Sequence, residues 1–243
     1  MTCGGVPALS TCPWQYDESI QVGTDYRDEG EVRCYDERMQ RLRDTAGEID
    51  AIRQAVELTE DMIVLEIGTG TGELALGLAR HCRHVFGVDV SETMLTYAGN
   101  KARGRGATNV SFHRGGFLSG FQPPSRVDAV VSQLALHHLP DFWKGVAVRR
   151  LWGALKPGGR LYLRDVVFPS ATEDYDAYFS AAIGEIRSKA GEEMARSVAN
   201  HIQKEFSTLD WILEGMLARA GFRILRKDVD GMLTAYGCMK QPG

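Results

Sequence analysis

The sequence has little of what a secreted or membrane protein relies on. Its five cysteines, Cys3, Cys12, Cys34, Cys82 and Cys238, are odd in number, scattered and without a CxxC pair. That argues against a disulfide framework or a cysteine-based zinc site and suits thiols kept reduced in a cytoplasm. No apolar run approaches the ~18 residues of a membrane-spanning helix. The start of the chain lacks the basic residues and continuous apolar stretch of a secretory signal. Basic charge is also short: Lys and Arg number 28 against 32 Asp and Glu, for a net charge of -4, with a pI of about 5.9. This leaves no electrostatic footprint for nucleic acid. The densest basic cluster, Lys101-Ala102-Arg103-Gly104-Arg105, reads as the solvated end of a helix. No internal repeat is visible. The expectation is a cytoplasmic chain with no nucleic-acid partner and no membrane span. Its 243 residues, 44% of them apolar, suffice for one domain with a sizeable core.

What is present is concentrated in residues 62–73, Met-Ile-Val-Leu-Glu-Ile-Gly-Thr-Gly-Thr-Gly-Glu. An apolar, β-branched run ends in an acid and in three glycines spaced two apart, and Leu74-Ala75-Leu76-Gly77-Leu78-Ala79 continues as a helix. Strand, glycine turn and helix N-terminus together make a nucleotide-binding corner, because glycine lets backbone turn sharply and approach a ligand. Gly68, Gly70 and Gly72 spell GxGxG, and Glu73 stands where a dinucleotide-type GxGxxG needs glycine. A carboxylate there disfavours a pyrophosphate. The turn therefore reads as built for an adenosine cofactor with no phosphate at this point. A second buried strand, residues 84–89, ends in Asp89, twenty-one residues after Gly68. A carboxylate in that position can accept hydrogen bonds from both ribose hydroxyls. Ser91 follows as an N-cap, with Met94 and Leu95 opening the next apolar face.

Four blocks, VLEIGTGTGELALGLA (64–79), VFGVDVSETML (85–95), VDAVVSQLALHHLPD (127–141) and LKPGGRLYLRDVVF (155–168), stand in fixed order over roughly residues 60–168. On these residues the chain resembles the class I S-adenosylmethionine-dependent methyltransferases, and within them the quinone-biosynthesis-like small-molecule group known as type 11. The resemblance implies S-adenosyl-L-methionine as cofactor and a Rossmann-like, seven-stranded, mostly parallel α/β sheet with helices on both faces and the last strand antiparallel. Methyl transfer would go to a small-molecule acceptor by in-line displacement. It places Glu66, Gly68, Thr69, Gly70, Gly72, Asp89, Val90, Met94, Gly116, Phe117, Ser132 and Gln133 around the cofactor, with Glu66 near its methionine portion and Met94 on adenine. Many relatives carry an aspartate where Gly116 stands, to receive the adenine amino group. Here that contact is left to stacking and to the backbone of Phe117. The rival readings are a non-catalytic protein of the same fold that binds the same cofactor, and a nicotinamide dehydrogenase, which Glu73 and the 127–141 block disfavour.

Strands are expected at 62–67, 84–89, 109–112, 127–132, 160–167, 222–227 and 231–238. Helices are expected near 31–44, 48–58, 72–82, 92–104, 141–155, 174–204 in two pieces, and 208–220. Pro157-Gly158-Gly159 reads as the stop after a helix, Ser207-x-x-Asp210 as a capping box and Gly221 as a glycine stop. Residues 1–45 form an N-terminal extension or lid in which Trp14, Tyr16, Tyr26 and Tyr35 are candidates to close over the cofactor. Residues 46–243 form the methyltransferase domain, with 169–206 as a helical cover over the acceptor site. His137, after the fourth strand, and Asp165, near the end of the fifth, are the candidate catalytic groups, His137 as a base. Neither His137 nor His138 has metal partners nearby in sequence, and His81 and His84 straddle a helix end and a strand, so no metal is expected.

Overall fold

A computed structural model of the chain describes residues 13–20, Gly30, Val32 and 43–241. All of the helix expected at 31–44 but Val32, Arg43 and Asp44 lies outside the described residues, as do Tyr26 and Tyr35. Strands β1 (Ile63–Ile67), β2 (His84–Asp89), β3 (Val110–Arg114), β4 (Val127–Gln133), β5 (Leu155–Phe168), β6 (Thr208–Leu209), β7 (Phe222–Asp230) and β8 (Leu233–Lys240) alternate with helices α1 (Thr45–Val56), α2 (Glu73–Leu78), α3 (Glu92–Gly104), α4 (Asp141–Ala154), α5 (Tyr175–Lys204) and α6 (Asp210–Ala220). The sheet runs β3-β2-β1-β4-β5-β8-β7, with the two-residue β6 appended to β5. Strand β8 lies antiparallel between β5 and β7, and the other pairings are parallel.

The central strands are apolar on alternate residues in both directions because both faces are covered. Leu65 and Ile67 point into a core shared with Val148 and Leu151 of α4 and Leu213 and Leu217 of α6. Val64 points the other way, against Ile52 and Val56 of α1 and Leu74 and Leu78 of α2. This sandwich leaves the carboxyl ends of β1, β2 and β4 side by side, and sheet order reverses between β1 and β4. That is where an open parallel sheet binds its ligand.

Three local expectations change. Pro157-Gly158-Gly159 lies inside β5 and not between helix and strand. The pairing jumps from Val127–Leu155 to Ala129–Arg160, so the segment is extruded as an irregularity that tolerates a proline without an N–H and Gly158 at φ 74°. Ser207 does not cap α6. Its hydroxyl contacts His201 Nε2 at 2.8 Å, while Leu209 occupies the cap position with no side-chain bond. The sheet also gains β6, too short to carry a periodic signal. Gly221 does end α6, at φ 99°, and Ser91 does cap α3, accepting from the backbone N–H of Met94 at 3.2 Å.

Candidate active site

The glycine turn is held from beneath. The backbone N–H groups of Gly68 and Thr69 both donate to the Val88 carbonyl, at 2.8 and 3.0 Å. Gly68, Gly70 and Gly72 adopt φ of 79°, 52° and 77°, conformations that residues with a Cβ rarely take. A Cβ at Gly68 would stand 2.4 Å from that of Ala135, whereas one at Gly70 would meet no protein atom and would project into open space. Gly70 is therefore glycine for its backbone and for whatever fills that space. Glu73, next along, is tied to Lys101 at 3.0 Å and Arg105 at 2.9 Å, so α2 begins with an ion-paired carboxylate.

Asp89 faces the turn. Its Oδ2 accepts from the Gly70 N–H at 2.8 Å and its Oδ1 from the Ser91 N–H at 2.9 Å. A carboxylate offers about four acceptor positions, so both oxygens keep capacity for a ligand. Glu66 is almost fully buried and accepts from the Thr69 hydroxyl at 2.7 Å. Burial pushes its carboxyl up to about 7, against the pull of that hydrogen bond and of Arg43. At the end of β4, Leu134 is held at φ 54°, a strained conformation for a branched side chain. The Gln133 carboxamide lies beside Glu48, yet its Oε1 and Nε2 are both buried and meet no partner at bonding geometry.

The exit of β3 shows what fills the place of the side chain that Gly116 lacks. A Cβ on Gly116 would stand 2.5–2.8 Å from the carboxylate of Glu18. Glu18, 8% exposed, accepts from the Leu118 N–H at 2.9 Å and the Ser119 hydroxyl at 2.5 Å. Burial raises its carboxyl above the usual range. A carboxylate from the N-terminal segment thus stands where the loop has no side chain.

Glu66, Gly68, Thr69, Gly70, Asp89, Val90, Met94, Gly116, Phe117 and Gln133 line one pocket, joined by Glu18, Arg43, Leu134 and His138. Other expected site residues stand apart from it. Gly72 supports the turn as the N-cap of α2, and Ser132 donates to the Ile67 carbonyl at 2.9 Å, linking β4 to β1. His137 and Asp165 come together behind the wall. Nδ1 of His137 lies 2.5 Å from Asp165, which also accepts from the backbone N–H groups of Leu136 and Val166, each at 2.7 Å. The other nitrogen of His137 lies 3.1 Å from Glu205. Burial disfavours charge on His137, but the two carboxylates outweigh it and push its pKa up to about 9. Burial and the neighbouring His137 charge push His138 down to about 4, so the imidazole at the pocket edge is neutral. Of the N-terminal aromatics, Tyr16 lies against this region, its hydroxyl 3.4 Å from the His138 carbonyl and its ring edge-on to Phe206. Trp14 stacks on Trp143 and is 72% exposed.

Residues 64–159 match the methyltransferase-domain family. An uncharacterized methyltransferase of Geobacillus kaustophilus is 31% identical over 191 residues, covering 79% of this chain and 81% of that protein. The chain belongs to the class I S-adenosylmethionine-dependent methyltransferases. A second relative of this methyltransferase, also uncharacterized and from Geobacillus sp. strain WCH70, is 30% identical over 210 residues, 86% of this chain and 91% of that one. The fold of the methyltransferase is shared with the YcgJ protein of Bacillus subtilis, at TM-score 0.62 and 18% identity over 82% of this chain and all of that one. It is also shared with the magnesium protoporphyrin IX methyltransferase of Synechocystis with bound SAH, at TM-score 0.58 and 18% identity, covering 81% and 82%. Among the described residues, no helix of the methyltransferase is long and apolar enough to cross a membrane.

Proposed function

We propose that the chain transfers the methyl group of S-adenosylmethionine to a small-molecule acceptor seated between the pocket and the segment 169–206. The observation that carries this reading is Asp89, a carboxylate with one oxygen fixed by Gly70 and the other by Ser91, facing a turn whose central glycine opens on empty space. The pocket suits the cofactor end to end. Asp89 receives the ribose hydroxyls and Gly70 leaves room for the sugar. Met94 and Phe117 flank the base, and Glu18 takes the adenine amino group. Glu66, Gln133 and Arg43 hold the amino-acid portion, with Glu66 opposite its ammonium.

The bound cofactor supplies a methyl group already made electrophilic by its sulfonium. The protein's contribution is then alignment of the acceptor and exclusion of water, which can account for several kcal/mol without a dedicated acid or base. His137 has both ring nitrogens engaged by carboxylates, so the geometry supports a positioning role for His137 and Asp165. They fix the β4 exit that carries Gln133 and His138. A small acceptor suits a chain with a net charge of -4 and a concave, largely apolar site.

The test is calorimetric titration of S-adenosylhomocysteine into wild type and Asp89→Ala, followed by an acceptor screen beginning with phenols and quinones. Two hydroxyl-to-carboxylate bonds at about 1.5–3 kcal/mol each make the expected loss in Asp89→Ala at least ~100-fold in Kd. Unchanged affinity would refute the ribose assignment. Tight binding without turnover of any acceptor would point to the non-catalytic alternative.

A further inference from the structure

Behind the pocket wall, three metal-ligating side chains converge from two distant parts of the chain. Nε2 of His137, Nδ1 of His138 and the carboxylate of Glu205 all lie within 4.8 Å of one another. Three imidazole nitrogens surround one oxygen, Oε2 of Glu205: His201 Nδ1 at 2.8 Å, His137 Nε2 at 3.1 Å and His138 Nδ1 at 3.7 Å. We propose that His137, His138 and Glu205 form a binding site for one divalent transition-metal ion of borderline softness, Zn2+ being the type, with His201 as an outer contact of Glu205.

The donor set of two imidazoles and a carboxylate is one that Zn2+ and its neighbours take, with a further position left for solvent. Ligands at about 2.0–2.2 Å from a tetrahedral ion stand roughly 3.3 Å from each other, and the separations around Glu205 Oε2 bracket that value. The outer contacts are those of a metal site. The far nitrogen of His137 is held by Asp165 at 2.5 Å, which fixes the ring, and Glu205 is held by His201 at 2.8 Å, itself anchored on Ser207 Oγ at 2.8 Å. His138 Nδ1 is buried and has no hydrogen-bond partner.

The absence of metal partners expected from sequence was a matter of distance along the chain. His201 and Glu205 sit one turn apart at the end of α5, more than sixty residues beyond the double histidine. An ion here joins the 3-10 turn after β4 to the end of the cover, and His138 carries its influence to the rim of the pocket.

The experiment uses the full, tag-free chain stripped with a chelator, titrated with Co2+ and followed by the visible absorption of the bound ion. One Co2+ per chain is expected, displaced by Zn2+ and not by Mg2+. In His138→Ala binding should weaken by more than the ~10–100-fold typical of losing an outer contact. His201→Ala, which spares every ligand, should weaken it by about tenfold or more, and circular dichroism checks that each variant is folded. No saturable Co2+ binding by the wild type, undiminished binding in whichever histidine variants fold, or displacement by Mg2+ would overturn the proposal. These readouts involve no cofactor, so their failure leaves the methyl-transfer reading untouched.

Discussion

Glu66 gives the sharpest physical test of the site, because a buried carboxylate in a ligand-free pocket is costly to ionise. Its pKa is pushed from 4.5 up to about 7 by burial. A carboxyl whose folded pKa is raised destabilises the folded chain as it ionises. The cost is absent below pH 4.5, develops between 4.5 and about 7, and is constant above that. At about 1.36 kcal/mol per unit, the full cost is on the order of 3 kcal/mol. Glu66→Gln keeps the shape and can still accept from the Thr69 hydroxyl, but it has no charge to bury. The variant should therefore match the wild type in urea unfolding near pH 4.5 and exceed it by about 2–3 kcal/mol at pH 8. Effects of other titrating groups cancel in the difference. Saturating S-adenosylhomocysteine should reverse the ranking at pH 8, because its ammonium compensates the wild-type carboxylate and finds no charge in the variant. An advantage of Glu66→Gln that is the same at both pH values would refute the argument, since it would trace to packing and not to ionisation.

Two further substitutions probe the same pocket. Gly70→Ala should cost about 1–2 kcal/mol of stability through its left-handed backbone, a shift of a few degrees in Tm for a chain of this size. Calorimetry should show at least a tenfold loss of S-adenosylhomocysteine affinity, because the added methyl occupies ligand space. Gly116→Asp should be destabilised by contact with Glu18, and the double variant Glu18→Ala/Gly116→Asp should recover stability and cofactor affinity together. A double-mutant cycle with a coupling below ~0.5 kcal/mol would show that the two carboxyl positions are independent.

The cofactor half of this fold was readable because its signals are local. The apolar run before Gly68, the glycine spacing and the acid at Asp89 sit within thirty residues, and each maps onto one strand end. The sheet followed from strands alternating with helices. What escaped the reading depends on contacts across long separations. Glu18 reaches Leu118 and Ser119 from about a hundred residues away, and only the missing side chain at Gly116 hinted that a partner was needed. His137 looked like a base because a histidine near a sheet's carboxyl end has a near-neutral pKa by default. That default fails once Asp165 and Glu205 bracket the ring, and Glu205 belongs to a helix whose position the sequence does not announce. Ser207 satisfied the spacing of a capping box, but His201, six residues earlier, takes its hydroxyl.

The long helix α5 is fastened in an unusual way. Ala195 is its buried residue among the 30 from Tyr175 to Lys204, and the helix is broken at Gly191, where φ is 87°. Its attachments are few and lie near its ends: Tyr175 to the Pro169 carbonyl, Tyr178 to the Gly231 carbonyl and Phe179 edge-on to Phe168 at one, Glu205 to His137 just past the other. A segment held by clasps and not by a core opens at a free energy well below that of global unfolding. Its amide hydrogens should exchange while those of β1 and β4 stay protected. The same economy bears on descent. On the proposed reading, a lineage can rewrite residues 175–200 to admit a different acceptor while the turn at Gly68–Gly72 and the carboxylate of Asp89 continue to serve the old cofactor unchanged.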